Sequence, residues 1–168
     1  MLIRTSDTPN PATRKFLPDQ MVMEAGTRDF PDSASAAASP LARALFDSGL
    51  VEGVFYGRDF VSVTAAEGVH WSDLEPLVLE TLLDHFVSGA PLFEAGTAKS
   101  IHVAPDENYG EDPADADIVD QIKDLIETRV RPAVAQDGGD IVYRGYRDGK
   151  LFVALQGACA GCPSSTVT

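Results

Sequence analysis

Cys159 and Cys162 are the only cysteines of this 168-residue chain, and two residues separate them close to its C-terminus. Two thiolates at this spacing can both face one metal centre from a tight turn, and Gly157 and Gly161 allow the backbone to approach that centre closely. Three chemistries stay open at this point: half of a zinc site, half of an iron–sulfur site, or a redox-active dithiol.

A second set of ligands is not evident in the same region of the chain. The three histidines, His70, His85 and His102, all precede the cysteine-bearing segment by more than fifty residues. We interpret them as bystanders, since soft thiolates suit iron–sulfur chemistry better than imidazoles do. Two chains related by a two-fold axis would supply four thiolates, so the cysteine count favours a dimer.

The charge of the chain excludes some classes of function. Its formal net charge is −13, which argues against a nucleic-acid or anionic-membrane binder because phosphates require clustered Lys and Arg. No run approaches 18 apolar residues, and the N-terminus resembles neither a signal peptide nor a transit peptide. We therefore expect a cytoplasmic protein, or one of the mitochondrial matrix if its source is eukaryotic.

The distribution of charge predicts two domains and a linker. Residues 1–99 carry −7, residues 100–127 carry −8 and residues 128–168 carry +2. The acidic stretch is polar, like-charged and flanked by prolines, as interdomain linkers often are. The predicted layout is a domain at 1–97, an acidic linker at 98–114 and a cysteine-bearing domain at 115–168.

Local signals predict the elements of the first domain. They are strands at 1–4 and 20–25 around the turn Thr8-Pro9-Asn10-Pro11, a helix between Ser39 and Gly49, a hairpin at 50–56 and 60–65, and a helix ending at Gly89. Ser39 should cap its helix with Pro40 in the first position, and Ser72 with Glu75 forms a capping-box pattern for the last helix. The apolar stripe of that helix is interpreted as core: Trp71, Leu74, Val78, Leu82 and Phe86.

The second domain should contain one helical stretch and one hairpin. Asp117 is the predicted helix cap, and the predicted apolar face is Ile118, Ile122, Leu125, Ile126 and Val130. Pro132 should kink or end the regular helix, and Asp148-Gly149 should join strands at 141–146 and 151–156. We interpret Gly138 and Gly139 as a helix stop, and Asp137 and Asp140 as turn and cap residues rather than ligands.

The motifs around these elements resemble a known family. The segment 118–168 is similar to the C-terminal domain of NifU, the Nfu-type iron–sulfur scaffold domain. The residues that carry this likeness are Val130-Arg131-Pro132, Asp137-Gly138-Gly139-Asp140 and Gly157-Ala158-Cys159-Ala160-Gly161-Cys162-Pro163-Ser164-Ser165. The first domain resembles the Nfu N-terminal domain through Thr8-Pro9-Asn10-Pro11, Lys15-Phe16-Leu17-Pro18, Ala36-Ala37-Ala38-Ser39-Pro40-Leu41-Ala42 and Val54-Phe55-Tyr56-Gly57-Arg58-Asp59-Phe60-Val61.

The resemblance implies a carrier and not an enzyme. It implies a [4Fe–4S] cluster bridged between two protomers, with Cys159 and Cys162 as ligands, received from upstream donors and passed to apo iron–sulfur proteins. The predicted helices and hairpins indicate two small α+β domains. The second would be an α-β-β unit that departs from the family, because the sequence stops at Thr168, before the helix that follows the cysteine motif in the family. The first domain would then select partners within the reach of the linker. A thiol–disulfide oxidoreductase and a zinc-binding module are the alternatives.

Overall fold

The computed structural model of the chain describes residues 1–95 and 110–160. Most of the linker predicted at 98–114 lies outside the described residues, as do His102 and Cys162. The described strands are β1 (Ile3–Asp7), β2 (Thr13–Pro18), β3 (Arg28–Phe30), β4 (Val51–Tyr56), β5 (Val61–Ala65), β6 (Gly139–Arg147) and β7 (Lys150–Gly157). The described helices are α1 (Pro40–Asp47), α2 (Trp71–Ser88), α3 (Ala116–Leu125) and α4 (Arg131–Gln136).

The first domain is an antiparallel sheet covered on one face by α1 and α2. Its strand order is β1-β2-β5-β4-β3. Because side chains alternate across a strand, each strand presents every second residue to the helices. The core formed there is almost fully buried and includes Phe16, Val54, Tyr56, Val61, Val63, Leu41, Leu45, Leu74, Val78 and Leu82.

Most of the predicted elements of this domain are confirmed. The Ser39 hydroxyl accepts a hydrogen bond from the Ala42 N–H at 3.3 Å and so caps α1, and Gly89 ends α2 in the left-handed conformation. The hairpin predicted at 50–56 and 60–65 is β4 and β5. The predicted core stripe of α2 is buried at Leu74, Val78 and Leu82.

Two predictions for this domain are wrong. The strand expected at 20–25 is absent from the described residues, and β1 pairs instead with β2, whose consecutive charged residues Arg14 and Lys15 lie on opposite faces and obscure its alternation. The capping box does not form, because α2 begins one residue before Ser72. The carbonyl of His70 already accepts the N–H groups of Asp73 and Leu74.

The second domain is a helical run packed on a two-stranded hairpin. A wide turn of π type, Ile126–Val130, joins α3 to α4 directly before Pro132, where a regular helix is expected to be interrupted. The predicted turn between β6 and β7 is confirmed, since Asp148 and Gly149 have φ values of 51° and 74°. Gly138 ends the helical run, also as predicted, with φ 83°.

The helix cap and apolar face predicted for this domain need correction. Asp117 lies inside α3, whose N-cap residue is Asp115 and makes no side-chain capping hydrogen bond. Asp112 caps the preceding 3-10 helix, Pro113–Asp115, where its carboxylate accepts the Ala114 N–H at 2.9 Å. Ile126 is buried as predicted, Ile118 and Leu125 are exposed, and Val119 is buried although it was not part of the predicted face.

The α+β class and the two-domain architecture are confirmed. Within the described residues no helix combines the length and the apolar character that crossing a bilayer requires. The two domains also contact each other directly: the sheet face opposite α1 and α2 meets the base of the β6–β7 hairpin, which carries Cys159 at its end.

Candidate metal centre

Cys159 lies in a tight turn that follows β7. The Ala160 N–H donates to the Gly157 carbonyl at 3.1 Å, and Gly157 itself has φ 64°, a backbone conformation that favours glycine. Cys159 is partly exposed, whereas its neighbour Ala158 is 2% exposed. The turn therefore presents one thiol at the edge of a buried backbone segment, and the second predicted ligand, Cys162, lies outside the described residues.

Gly139 packs directly against this thiol. A Cβ atom at Gly139 would stand 2.8 Å from the Cys159 Sγ, 3.0 Å from its backbone N and 2.4 Å from the Gln156 carbonyl oxygen. Real Cβ atoms essentially never approach heavy atoms within 3.0 Å. The Cys159 sulfur can take this position because residue 139 has no side chain, which corrects our view of Gly139 as only a helix stop.

Two further glycines are required by close approach as well as by conformation. A Cβ at Gly138 would meet the Ser62 Oγ at 2.9 Å, and a Cβ at Gly157 would meet the Gly138 carbonyl oxygen at 2.8 Å and the Phe55 Cγ at 2.9 Å. Phe55 and Ser62 belong to the first domain. The glycines therefore let two backbone segments of the second domain and side chains of the first domain converge next to the cysteine turn.

The first domain makes polar contacts with both sides of this junction. The Ser62 hydroxyl donates to the Gly138 carbonyl at 2.7 Å, and the Asn10 side-chain amide donates to the Ala158 carbonyl at 3.2 Å. The Lys15 Nζ donates to the Gln136 carbonyl at 3.0 Å, at the end of α4, where a cation also favours the helix dipole. These contacts tie the cysteine turn to the first sheet.

An ion pair between Arg131 and the buried Asp140 lies directly after Gly139 in the chain. Arg131 donates from Nε and Nη2 to the two carboxylate oxygens of Asp140 at 2.9 and 2.7 Å, and Thr27 donates to the same carboxylate at 2.7 Å. Asp140 is 3% exposed, so burial acts to raise its pKa. Hydrogen bonds from Arg131 and Thr27 and the guanidinium charge outweigh burial, and the pKa of Asp140 falls below its ordinary value.

Asp29 contributes a half-buried carboxylate at the interface. Burial raises its pKa, and a hydrogen bond from the Gly157 backbone N–H opposes that rise. The N–H of the residue that opens the cysteine turn is thus bound by the first domain.

The other residues considered from the sequence lie elsewhere. His70 precedes α2 and is exposed, His85 is buried in α2, and Asp137 is exposed. In residues 1–95 and 110–160, no three His, Cys, Asp or Glu side chains are grouped so that they could hold a metal ion. Cys159 also follows an antiparallel hairpin, whereas a thioredoxin-like dithiol would usually follow the first strand of a βαβ unit.

Sequence reasoning did not identify the first-domain residues of this site. Asn10 was interpreted only as part of a rigid turn. Ser62 alternates with Val61 and Val63, a pattern that usually indicates a solvent-facing position on a strand. The local sequence around a polar residue on the second face of a sheet does not indicate which distant backbone segment will pack against it.

The arrangement is compatible with a metal–sulfur ligand held by thiolates. Cys159 is partly exposed, and its sulfur lies against the backbone of Gly139, which has no side chain. Iron–sulfur clusters are held by cysteine thiolates. The residues that the structure describes therefore fit half of such a centre.

Comparison with known proteins matches two families to different parts of the chain. Residues 3–89 match the family described as scaffold protein Nfu/NifU N terminal, and residues 122–168 match the NifU-like domain. NifU-like protein 5, mitochondrial, of Arabidopsis thaliana is 47% identical over the whole chain and 60% of its own length. The human NFU1 iron-sulfur cluster scaffold homolog, mitochondrial, is 44% identical over the whole chain and 63% of its own length.

The chain spans about 60% of the length of these curated relatives. A solution structure of a NifU-like protein from Saccharomyces cerevisiae aligns with a TM-score of 0.50 and 24% identity over 56% of this chain and 86% of that one, which supports the fold alone. The two family matches together cover both domains, so the chain belongs to the Nfu/NifU scaffold family.

Proposed function

We propose that this chain is an iron–sulfur cluster scaffold and carrier, and not an enzyme. The observation that carries the proposal is the glycine-framed turn that presents Cys159 in a chain of the Nfu/NifU family. The human relative is named as an iron–sulfur cluster scaffold homolog, which supports the same class of function for this chain.

The cargo in this proposal is a [4Fe–4S] cluster bridged between two protomers. Each chain offers Cys159 and Cys162, and a cubane cluster takes four thiolates, so a homodimer supplies the full set. Only two ligands then come from each chain. A thiol of an acceptor can replace one protomer's ligands without breaking all four iron–thiolate bonds at once, which favours transfer.

The proposed partners follow from this chemistry. Upstream donors deliver the cluster and apo iron–sulfur proteins receive it, whereas nucleic acids and membranes are disfavoured by the net charge of −13. The relatives' names place them in mitochondria, which supports the matrix as the compartment in a eukaryotic source and leaves the cytoplasm for a source without mitochondria.

Anaerobic reconstitution with iron and sulfide tests the function. We expect about two irons per chain, visible thiolate-to-iron charge-transfer absorbance, and a dimer that depends on the cluster. Cys159→Ser and Cys162→Ser should each abolish binding. Ala160→Ser, which adds a hydroxyl in the same turn and removes no thiol, is the matched control and should bind normally.

The alternatives give different results in the same preparation. Zinc at a stoichiometric level in protein purified without oxygen would overturn the iron–sulfur proposal in favour of a zinc module. Metal-independent turnover of a disulfide substrate, with no iron uptake, would indicate the oxidoreductase.

A further inference from the structure

We propose that the first domain is part of the cluster site, with Ser62 and Asn10 as positioning residues for Cys159. This inference rests on the proposed function for its purpose. Its physical content is a set of contacts between the two domains, and these contacts can be tested without a cluster.

Both backbone polar groups of Ala158, the residue before Cys159, are held by a short chain of contacts. Its N–H donates to the Gly138 carbonyl at 3.2 Å, and the same carbonyl accepts the Ser62 hydroxyl at 2.7 Å. Its carbonyl accepts the Asn10 amide at 3.2 Å. Two elements of the first domain therefore act on one residue that adjoins the thiol.

Ser62 is placed to act on this turn and little else. It is 1% exposed and is the second residue of β5, on the face opposite the core. Its hydroxyl is satisfied by the Gly138 carbonyl across the domain boundary. A buried hydroxyl that lost this acceptor would be costly, so the contact fixes how far the second domain stands from the sheet.

Asn10 is held rigidly before it reaches Ala158. Its Oδ1 accepts the Ala12 N–H at 3.1 Å, which leaves its amide nitrogen to donate to Ala158. Its backbone N–H donates to the Thr8 hydroxyl at 3.2 Å. The proline-flanked turn therefore positions the side-chain amide of Asn10 to donate to the Ala158 carbonyl, a role that its sequence did not indicate.

The apolar part of the same interface is equally close. Phe55 lies beside Ser62 on the second face of the sheet and is 1% exposed, yet it does not belong to the core beneath α1 and α2. Its ring covers Gly157, where no Cβ could be accommodated. The face of the sheet that faces away from the helices is therefore an interface for the cysteine turn.

The test measures how well the thiol is held in the apo chain. In a Cys162→Ser background Cys159 is the only thiol, and its alkylation rate by iodoacetamide reports how well the turn shields the partly exposed sulfur. Ser62→Ala removes the hydroxyl, and Asn10→Asp keeps the acceptor for Ala12 while removing the donor to Ala158. We expect each to raise the rate about three- to tenfold, the effect of losing one buried hydrogen bond.

Thr64→Val is the matched control. Thr64 lies two residues further along β5 on the same face, and its hydroxyl contacts that of Thr13 at 2.8 Å within the first domain. This variant loses a hydroxyl contact of the same kind without touching the second domain, so its alkylation rate should stay within twofold of the parent. Thermal unfolding of all variants checks that each is folded.

A second readout separates positioning from general stability. In the chain with both cysteines, the visible circular dichroism of the bound cluster reports the arrangement of its thiolates, and groups beyond the ligands tune such arrangements. We expect it to change in Ser62→Ala and Asn10→Asp and to stay the same in Thr64→Val.

The inference is overturned if Ser62→Ala and Asn10→Asp alkylate at the parental rate, or if Thr64→Val accelerates as much as they do. A wild-type chain that takes up no iron contradicts the scaffold function instead. The alkylation contrast would still decide whether the first domain holds Cys159.

Discussion

Gly139→Ala is the substitution that most directly tests the geometry at the thiol. The new methyl group would lie 2.4 Å from the Gln156 carbonyl oxygen and 2.8 Å from the Cys159 Sγ. Both neighbours are held, the first in the β6–β7 ladder and the second in the turn that follows it. The carbonyl would have to retreat by more than half an ångström before the contact became one that real proteins show.

The magnitude follows from the kind of atoms involved. Forcing a methyl group into a closely packed site costs about 1–3 kcal/mol. The backbone φ of Gly139 lies outside the left-handed region, so this cost is steric. We expect the free energy of unfolding of the apo protein, measured in urea, to fall by that amount. We expect the rate at which a chelator removes the reconstituted cluster to rise about 5- to 150-fold.

Gly53→Ala provides the control within the same chain. Gly53 is also in a strand, and its added Cβ would make only an ordinary contact of 3.5 Å with Thr64. Its stability and cluster lifetime should match those of the parent. The reasoning is refuted if Gly139→Ala keeps the parental cluster lifetime, because the close contact between residue 139 and the Cys159 sulfur would then have no effect on cluster binding.

Three other predictions address the supports of the site and the fold. Asp140→Ala should lower the free energy of unfolding in urea by about 1–3 kcal/mol, because Arg131 and Thr27 lose the carboxylate that accepts their hydrogen bonds and Arg131 keeps only its pair with Glu127, whereas Asp137→Ala at an exposed position should change it by less than about 0.5 kcal/mol. Burial lowers the pKa of His85, so the unfolded chain binds a proton at a higher pH than the folded chain does. The free energy of unfolding should therefore fall as the pH drops below about 6.5. Thermal unfolding from pH 8 to 5 should show a weaker pH dependence in His85→Gln than in the parent. Ser39→Ala should cost about 2 kcal/mol, because a helix cap is lost and the buried Tyr56 hydroxyl loses its contact at 2.8 Å; equal melting temperatures for the two proteins would contradict this.

The sequence predicted the features that depend on local conformation. Pro40 after Ser39, Gly89 after an apolar stripe and Asp148-Gly149 between two alternating runs each restrict the backbone by themselves. The cysteine pair with its flanking glycines also stood out, because its residue types have few other uses in a chain with two cysteines.

The parts that could not be predicted depend on contacts between distant segments. β2 pairs with two strands, but Arg14 and Lys15 carry charge on both of its faces and concealed the alternation, because their partners lie in α2 and in the second domain. The capping box failed because α2 could begin one residue earlier with backbone hydrogen bonds alone. The roles of Asn10 and Ser62 require a partner more than 70 residues away in the chain, and no local pattern records that distance.

The contact of Lys15 with the end of α4 has a consequence for work on separate fragments. The Lys15 ammonium group, which belongs to the first domain, donates to the last carbonyls of that helix. Phe55 of the first domain is buried against Gly157. Cutting the chain between the domains would leave an uncapped helix end on one fragment and a bare aromatic face on the other. A cysteine-bearing fragment would therefore differ from the intact chain at the turn itself, and the affinity of such a fragment for its cargo should be lower than that of the whole protein.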